Sequence, residues 1–156
     1  MRYVSTRGKA EVLGFADVLL AGLASDGGLY LPETWPQLPP LGDLMGLSYA
    51  EVAVEVMWPF VEDDIDRESF ERIVNESYSS FDDDRVCPVI PLTTTASGAD
   101  VWLLELFRGP TLAFKDVALQ LVGRLFDHVL TERGERVCIL GATSGDTGSA
   151  AIEAVR

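Results

Sequence analysis

Lys115 is the first side chain of this sequence whose type and surroundings suggest chemistry. It follows Phe114, stands just after the turn Gly109-Pro110-Thr111, and opens a predicted apolar helix. The positive end of a helix dipole disfavours an ammonium group, so a lysine here does not help the helix. An amine held between Phe114 and Val117 could instead act as a nucleophile and form a Schiff base with an aldehyde. The alternative is a surface lysine that pairs with Asp116.

A second candidate is the polar loop Thr143-Ser144-Gly145-Asp146-Thr147-Gly148, which lies between a predicted strand and a predicted helix. Open α/β sheets bind ligands where their parallel strands end. Hydroxyls and free backbone N–H groups at a helix start suit a carboxylate or a phosphate. The glycine spacing matches neither GxGxxG nor GxxxxGK[ST], so the nucleotide-binding fingerprints are absent. The loop is typical of an anion site, although a capped structural turn would show the same pattern.

The elements around these two features predict a parallel sheet. Val101–Phe107 is nearly continuously apolar, as in a strand that is covered on both faces. Residues 116–133 show the apolar spacing of a helix that Gly134 ends, and Val137–Leu140 is a second apolar run. A further helix is expected at Thr147–Arg156. Strand, helix, strand and helix form a βαβ unit with a right-handed crossover, in which Cys138 would be a buried core residue.

The residues before this unit predict a small α+β domain. The predicted elements are a strand at Tyr3–Thr6, a helix at Phe15–Gly22, a turn at Asp26–Gly28, a strand at Leu29–Pro32, a helix that begins with a capping box at Ser48 and Glu51 and ends at Pro59, a helix at 67–79 capped by Asp66, and an extended edge segment at Cys87–Leu92. We therefore predict two domains, residues 1–85 and residues 86–156.

Composition excludes several classes of function. The net charge of −13 and the acidic run from Glu62 to Asp84, which we interpret as a solvated helix face, argue against binding to nucleic acid. No apolar run approaches the roughly 20 residues of a membrane helix, and no signal sequence is visible, so we expect a cytoplasmic protein. Cys87, Cys138 and the single His128 have no metal-ligand spacing, and no metal site is expected.

Taken together, the sequence motifs closely resemble threonine synthase. This family belongs to the pyridoxal-phosphate enzymes related to cysteine synthase and the tryptophan synthase β chain. The resemblance is carried, in chain order, by Tyr3–Gly8, Gly22–Glu33, Phe107–Asp116 and Ala142–Gly148.

The resemblance implies both a fold and an activity. The small N-terminal α+β domain would be followed by the start of a doubly wound three-layer (αβα) parallel-sheet domain of fold type II. The activity would be that of a pyridoxal-phosphate-dependent carbon–oxygen lyase acting on phosphates, which converts O-phosphohomoserine and water to threonine and phosphate. A homo-oligomer is possible.

The resemblance also implies roles for individual residues. Lys115 would carry pyridoxal phosphate covalently and move protons on the substrate. Asp146 would lie near the phenolic oxygen of the cofactor, and Phe114 would pack near the cofactor. The substrate carboxylate would be held by residues of the polar loop, namely Thr143, Ser144, Gly145, Asp146 and Thr147.

Two departures leave alternatives open. Arg108 stands where many family members have the histidine of Phe-His-Gly-Pro-Thr, and the arginine keeps a hydrogen-bond donor at that position. The family also continues well beyond 156 residues, so we expect an N-terminal fragment that is inactive alone. The alternatives are a related phospholyase acting on phosphorylated amino alcohols, and a non-catalytic truncated chain.

Overall fold

The computed structural model describes all 156 residues and has a mixed α/β architecture, which confirms the predicted fold class. Two compact units divide the chain, Met1–Val74 and Asn75–Arg156. The elements are β1 (Tyr3–Ser5), α1 (Phe15–Ala21), β2 (Tyr30–Pro32), a 3-10 helix at Leu41–Leu44, α2 (Tyr49–Val61), α3 (Arg67–Tyr78), β3 (Val89–Thr94), β4 (Asp100–Leu104), α4 (Asp116–Arg133) and α5 (Asp146–Ala154). None of the helices has the length and apolar character needed to cross a membrane.

In the first unit, the carboxylate of Asp26 holds together the loops next to the antiparallel pair of β1 and β2. This carboxylate accepts hydrogen bonds from the Ser5 hydroxyl at 2.7 Å and from the amides of Gly28 and Lys9 at 2.9 Å and of Ala10 at 3.1 Å. These donors stabilise the ionised form, and the Ser5 hydroxyl contributes most. They lower the pKa of Asp26 from its ordinary value of 3.8 to about 2.

Replacing Asp26 with asparagine should weaken the first unit and reduce its sensitivity to acid. Because the folded pKa lies below the unfolded one, Asp26 stabilises the fold above about pH 4, and this contribution is lost as the pH falls towards 2. Urea unfolding of both proteins between pH 7 and pH 2 should show that the free energy of unfolding falls less in Asp26→Asn than in the wild type. The matched control is Asp43→Asn, at an exposed aspartate, which should keep the full acid dependence. An equal loss of unfolding free energy in Asp26→Asn and the wild type would contradict the lowered pKa of Asp26.

The capping box of α2 is confirmed, but its predicted end at Pro59 is wrong. The Ser48 hydroxyl accepts the Glu51 amide at 3.3 Å, and the Glu51 carboxylate accepts the Ser48 amide at 2.7 Å. The helix continues through Pro59 to Val61. A proline removes a single helical N–H donor, and burial of Val61 favours one more turn, closed by the bond from the Glu62 amide to the Trp58 carbonyl at 3.1 Å.

One residue of the acidic run has a structural role that the interpretation as a solvated face did not include. The Asp64 carboxylate accepts hydrogen bonds from the amides of Phe15 at 2.6 Å and Ala16 at 3.4 Å. It thereby caps the start of α1 from a distant part of the chain, because Gly14 at the N-cap has no side chain for this purpose.

The second unit contains a hairpin and two packed helices. Strands β3 and β4 are antiparallel, with Val89 opposite Leu104 and a bulge between Pro91 and Thr93, as expected for an edge segment interrupted by prolines. Helix α4 matches its predicted bounds. It approaches α5 closely at Gly123, where an added Cβ would lie 2.3 Å from the Ala154 carbonyl oxygen.

The predicted strand at Val137–Leu140 is wrong, and the βαβ crossover that depended on it does not form within residues 1–156. This segment has no regular structure, Leu140 is 96% exposed, and Cys138, which was predicted to be buried, is exposed as well. An apolar run becomes a strand only when a neighbour accepts and donates its backbone hydrogen bonds. The predicted neighbour β4 ends at Leu104, before Phe107, and pairs with β3 instead.

Candidate functional site

The turn before α4 has an unusual backbone. The Leu112 amide donates to the Gly109 carbonyl at 3.1 Å, and Leu112 has a φ of +63°, in the left-handed region that residues with a Cβ rarely occupy. The Leu112 side chain is exposed, so no packing of that side chain explains this conformation. Backbone strain of this kind tends to persist where the surrounding structure imposes it, often at functional sites. The turn leads directly to Lys115, which is the N-cap residue of α4.

Asp116 forms the contacts that hold this turn in place. Its side chain is fully buried, and its two carboxylate oxygens accept the Thr111 amide at 2.8 Å and the Thr111 hydroxyl at 2.7 Å. Gly109 is required for this close approach, because an added Cβ there would lie 2.4 Å from the Asp116 Cβ. Asp116 therefore turns inwards to the Gly-Pro-Thr turn. The alternative in which it pairs with Lys115 at the surface is not what the structure shows.

Lys115 points instead towards Phe114 and the polar loop. Its Nζ lies 4.5 Å from the centroid of the Phe114 ring and 3.8 Å from a carboxylate oxygen of Asp146. The Lys115 side chain is 27% exposed, whereas that of Asp146 is 75% exposed. An ion pair of this length at the surface contributes only ~0–1 kcal/mol, so neither contact fixes the amine rigidly.

A largely apolar cavity of about 450 Å³ opens beside this amine. Its lining residues are Leu106, Phe114, Lys115, Val117, Ala118, Leu119 and Thr147. Binding sites for small molecules typically measure ~300–1,000 Å³ and combine an apolar lining with a few polar groups. The cavity has this character, with one amine and one hydroxyl among apolar side chains.

The polar loop serves as a helix cap and also presents free donors. The Thr143 hydroxyl oxygen accepts the amides of Gly145 at 3.3 Å and Gly148 at 3.1 Å, which closes the turn before α5. The amides of Asp146 and Thr147 are at the first two positions of α5, where no carbonyl of the helix can accept from them. Unpaired N–H groups at a helix start favour an anion.

The structure brings together only part of the predicted site. Phe114, Lys115 and Thr147 line one cavity, and Asp146 lies beside the Lys115 amine. Thr143, Ser144 and Gly145 immediately precede α5 and do not line the cavity.

Sequence reasoning missed Thr111 and Asp116 as a hydrogen-bonded pair, and it missed Leu106 as a lining residue. The available signal for the pair was an acid in the first turn of a helix that directly follows a Gly-Pro-Thr turn, because such an acid can accept bonds from the preceding backbone.

Arg108, the departure from the family motif, has a clear structural partner. Its Nε donates to the carboxylate of the buried Glu105 at 2.8 Å, and one of its terminal nitrogens lies 3.5 Å from an Asp82 carboxylate oxygen. The hydrogen bond to Glu105 is the main reason that the pKa of Arg108 is raised. Because a buried carboxylate without a partner is costly, Arg108 stabilises the end of the segment that leads into the turn.

Comparisons with known proteins agree with the sequence motifs. Residues 2–78 match the family described as threonine synthase N terminus. The threonine synthase of Pseudomonas aeruginosa is 58% identical over 158 aligned residues, which cover 100% of this chain and 33% of that protein. The crystal structure of pyridoxal-phosphate-bound threonine synthase from Brucella melitensis has a TM-score of 0.91 at 57% identity, over 99% of this chain and 33% of that one. Yeast threonine synthase has a TM-score of 0.89 at 37% identity, over the same shares. The chain thus spans about a third of the length of the relatives it matches.

Proposed function

We infer the function from the fact that this chain belongs to the threonine synthase family, and we propose that the protein containing it converts O-phosphohomoserine and water to threonine and phosphate with pyridoxal phosphate. The observation that carries the proposal is the position of Lys115. Its amine reaches an apolar cavity at the point where a helix start offers unpaired amides. The chain is 58% identical over its whole length to the threonine synthase of Pseudomonas aeruginosa, and 57% identical over 99% of its length to that of Brucella melitensis.

The residues present fit the cofactor in three respects. The cavity of about 450 Å³ has the size of a small-molecule site. It contains one primary amine, the group that forms a covalent bond with the cofactor aldehyde. The aromatic ring of Phe114 lines the same cavity and can pack against a flat heteroaromatic ring. Lys115, Phe114 and Asp146 are therefore the residues of this chain that would hold the cofactor.

When bound, the cofactor supplies an electron sink for negative charge that develops on the substrate. The Lys115 amine would take and return protons at Cα and Cβ of the substrate. The amides of Asp146 and Thr147, with the hydroxyls of Ser144 and Thr147, would bind the substrate carboxylate. Local donors of this kind offset the net charge of −13 on residues 1–156, which repels an anionic substrate.

The wider setting is also proposed. We place the protein in the cytoplasm, as a possible homo-oligomer that binds no nucleic acid. Residues 1–85 would form the N-terminal domain, and residues 86–156 would begin the doubly wound parallel-sheet domain that carries the cofactor. The family match to residues 2–78 supports this division, as does the position of the candidate site, which lies entirely after residue 86.

The proposal is tested by assaying the complete protein, loaded with pyridoxal phosphate, on O-phosphohomoserine. We expect phosphate and threonine to form in equal amounts. Residues 1–156 alone should turn nothing over, because they span a third of the related enzymes. The phospholyase alternative predicts phosphate release from a phosphorylated amino alcohol and no threonine. That result, or the absence of any threonine formation by the loaded protein, would contradict the proposed reaction.

A further inference from the structure

The buried carboxylate of Asp116 lies next to Lys115 in sequence but has no part in the proposed reaction. Its hydrogen-bond partners are the amide and the hydroxyl of Thr111, at 2.8 and 2.7 Å. Burying a carboxylate is costly unless its oxygens are satisfied. Two donors from one residue, together with the positive end of α4, provide that compensation. A costly group placed beside the proposed covalent lysine requires an explanation.

The contacts around Lys115 do not themselves determine the direction of its side chain. Its amine has an exposed ion pair of 3.8 Å and one ring contact, and both are weak. Asp116, in contrast, is held by two hydrogen bonds within the protein. Successive side chains at a helix start leave the axis about 100° apart, since 3.6 residues make one turn. Fixing Asp116 inwards therefore sets the direction in which Lys115 leaves the helix.

We propose that Thr111 and Asp116, through the hydrogen-bonded pair that they form, are positioning residues that direct the Lys115 amine into the cavity. This inference rests on the proposed function, because it assigns Lys115 the covalent role. Gly109 permits the close approach of Asp116, and the left-handed conformation of Leu112 is imposed by the turn that the pair closes. The pair touches neither the substrate nor the cofactor and acts only through Lys115.

The consequence is kinetic as well as structural. Reaction rates in enzymes depend on holding the reacting atoms in near-attack geometry, and a displacement of ~1 Å can cost about 100-fold. If the Thr111–Asp116 pair is broken, the protein should still fold and Lys115 should still lie beside the cavity, but the direction of its side chain should be less well defined. Lys115 should form its covalent bond with the cofactor more slowly and transfer protons less efficiently.

The test compares Thr111→Val with Thr111→Ser in the complete protein. Valine matches threonine in shape and keeps the backbone amide bond to Asp116, but it removes the hydroxyl donor. Serine keeps both donors. Protein freed of cofactor is mixed with pyridoxal phosphate, and borohydride trapping at Lys115 gives the rate of covalent capture. In parallel, kcat and KM for O-phosphohomoserine and the thermal midpoint of unfolding are measured.

We expect the capture rate and kcat of Thr111→Val to fall about tenfold or more, the size expected for losing a hydrogen bond to a charged group, with KM changed little. The capture rate and kcat of Thr111→Ser should remain within about twofold of the wild-type values. The matched structural control is Ser77→Ala. It removes a fully buried hydroxyl that bonds to the Gln120 carbonyl of the same helix α4 at 3.4 Å. That variant should lower the thermal midpoint and leave the capture rate unchanged.

The outcomes separate the two proposals. If the wild-type protein captures no cofactor at Lys115, the proposed function fails. If it does, and Thr111→Val captures at the wild-type rate with only a lower thermal midpoint, the positioning role is overturned. Should Thr111→Val not fold, Thr111→Ala replaces it, because alanine keeps the backbone amide bond to Asp116 and removes the hydroxyl donor without adding bulk. An unchanged capture rate in Thr111→Ala would overturn the proposal in the same way.

Discussion

Replacing Lys115 with alanine in the complete protein should abolish the visible absorption band of bound pyridoxal phosphate and the formation of threonine. Alanine removes the one amine in the cavity, so neither the covalent bond to the cofactor nor proton transfer by this residue remains. The loss of proton transfer alone costs ~10²–10⁴-fold in rate. Absorption spectra and the threonine assay, both on purified protein with added cofactor, measure the two effects.

The chain offers a matched control for this substitution. Residues 1–156 contain two lysines, and the other is Lys9, whose side chain is exposed in the first unit. Only the backbone amide of Lys9 bonds to Asp26, and alanine retains that amide. Lys9→Ala should therefore keep both the band and the activity. A visible band that persists in Lys115→Ala would show that the cofactor is bound elsewhere.

The second large effect is expected for Gly109→Ala. The added Cβ would lie 2.4 Å from the Asp116 Cβ and 2.6 Å from an Asp116 carboxylate oxygen. Asp116 is buried and held by two bonds to Thr111, so it cannot yield without breaking them. Overpacking of this kind costs ~1–3 kcal/mol of stability. The shift it forces on Lys115 should reduce kcat by about 100-fold.

Urea unfolding and steady-state kinetics of the complete protein measure these two quantities. The matched control is Gly42→Ala, because an added Cβ at Gly42 has no atom within 4 Å. That variant should be close to the wild type in both measurements. Wild-type stability and kcat in Gly109→Ala would show that the turn can relax around a methyl group, and that Asp116 does not require a glycine at position 109.

Helix α4 could be predicted to its bounds because all of its information is local. Its apolar residues repeat at helical spacing, and Gly134 ends the helix in the left-handed conformation that glycine tolerates. The capping box at Ser48 and Glu51 is local in the same sense. The failures depended on partners elsewhere in the chain. Pro59 does not end α2, where burial of Val61 favours a further turn, and Val137–Leu140 has no neighbouring strand with which to pair.

The same distinction applies to the site. Lys115 and the polar loop were recognisable because their residue types are unusual for a helix start and a turn. The distance of 3.8 Å between the Lys115 amine and the Asp146 carboxylate could not be predicted, since it depends on how α4 packs on α5. The pairing of Thr111 with Asp116 depends on which way one carboxylate turns, and a sequence does not specify this. Sequence identified the proposed reacting group, and the structure identified the residues that we propose to position it.

The covalent attachment of pyridoxal phosphate to Lys115 is tested most directly by borohydride reduction of the complete protein with bound cofactor. Proteolysis and mass spectrometry then identify the labelled peptide. We predict a single phosphopyridoxyl group on the peptide that contains Phe114-Lys115-Asp116. A label on any other lysine, or no label in a protein that has bound the cofactor, would contradict the assignment.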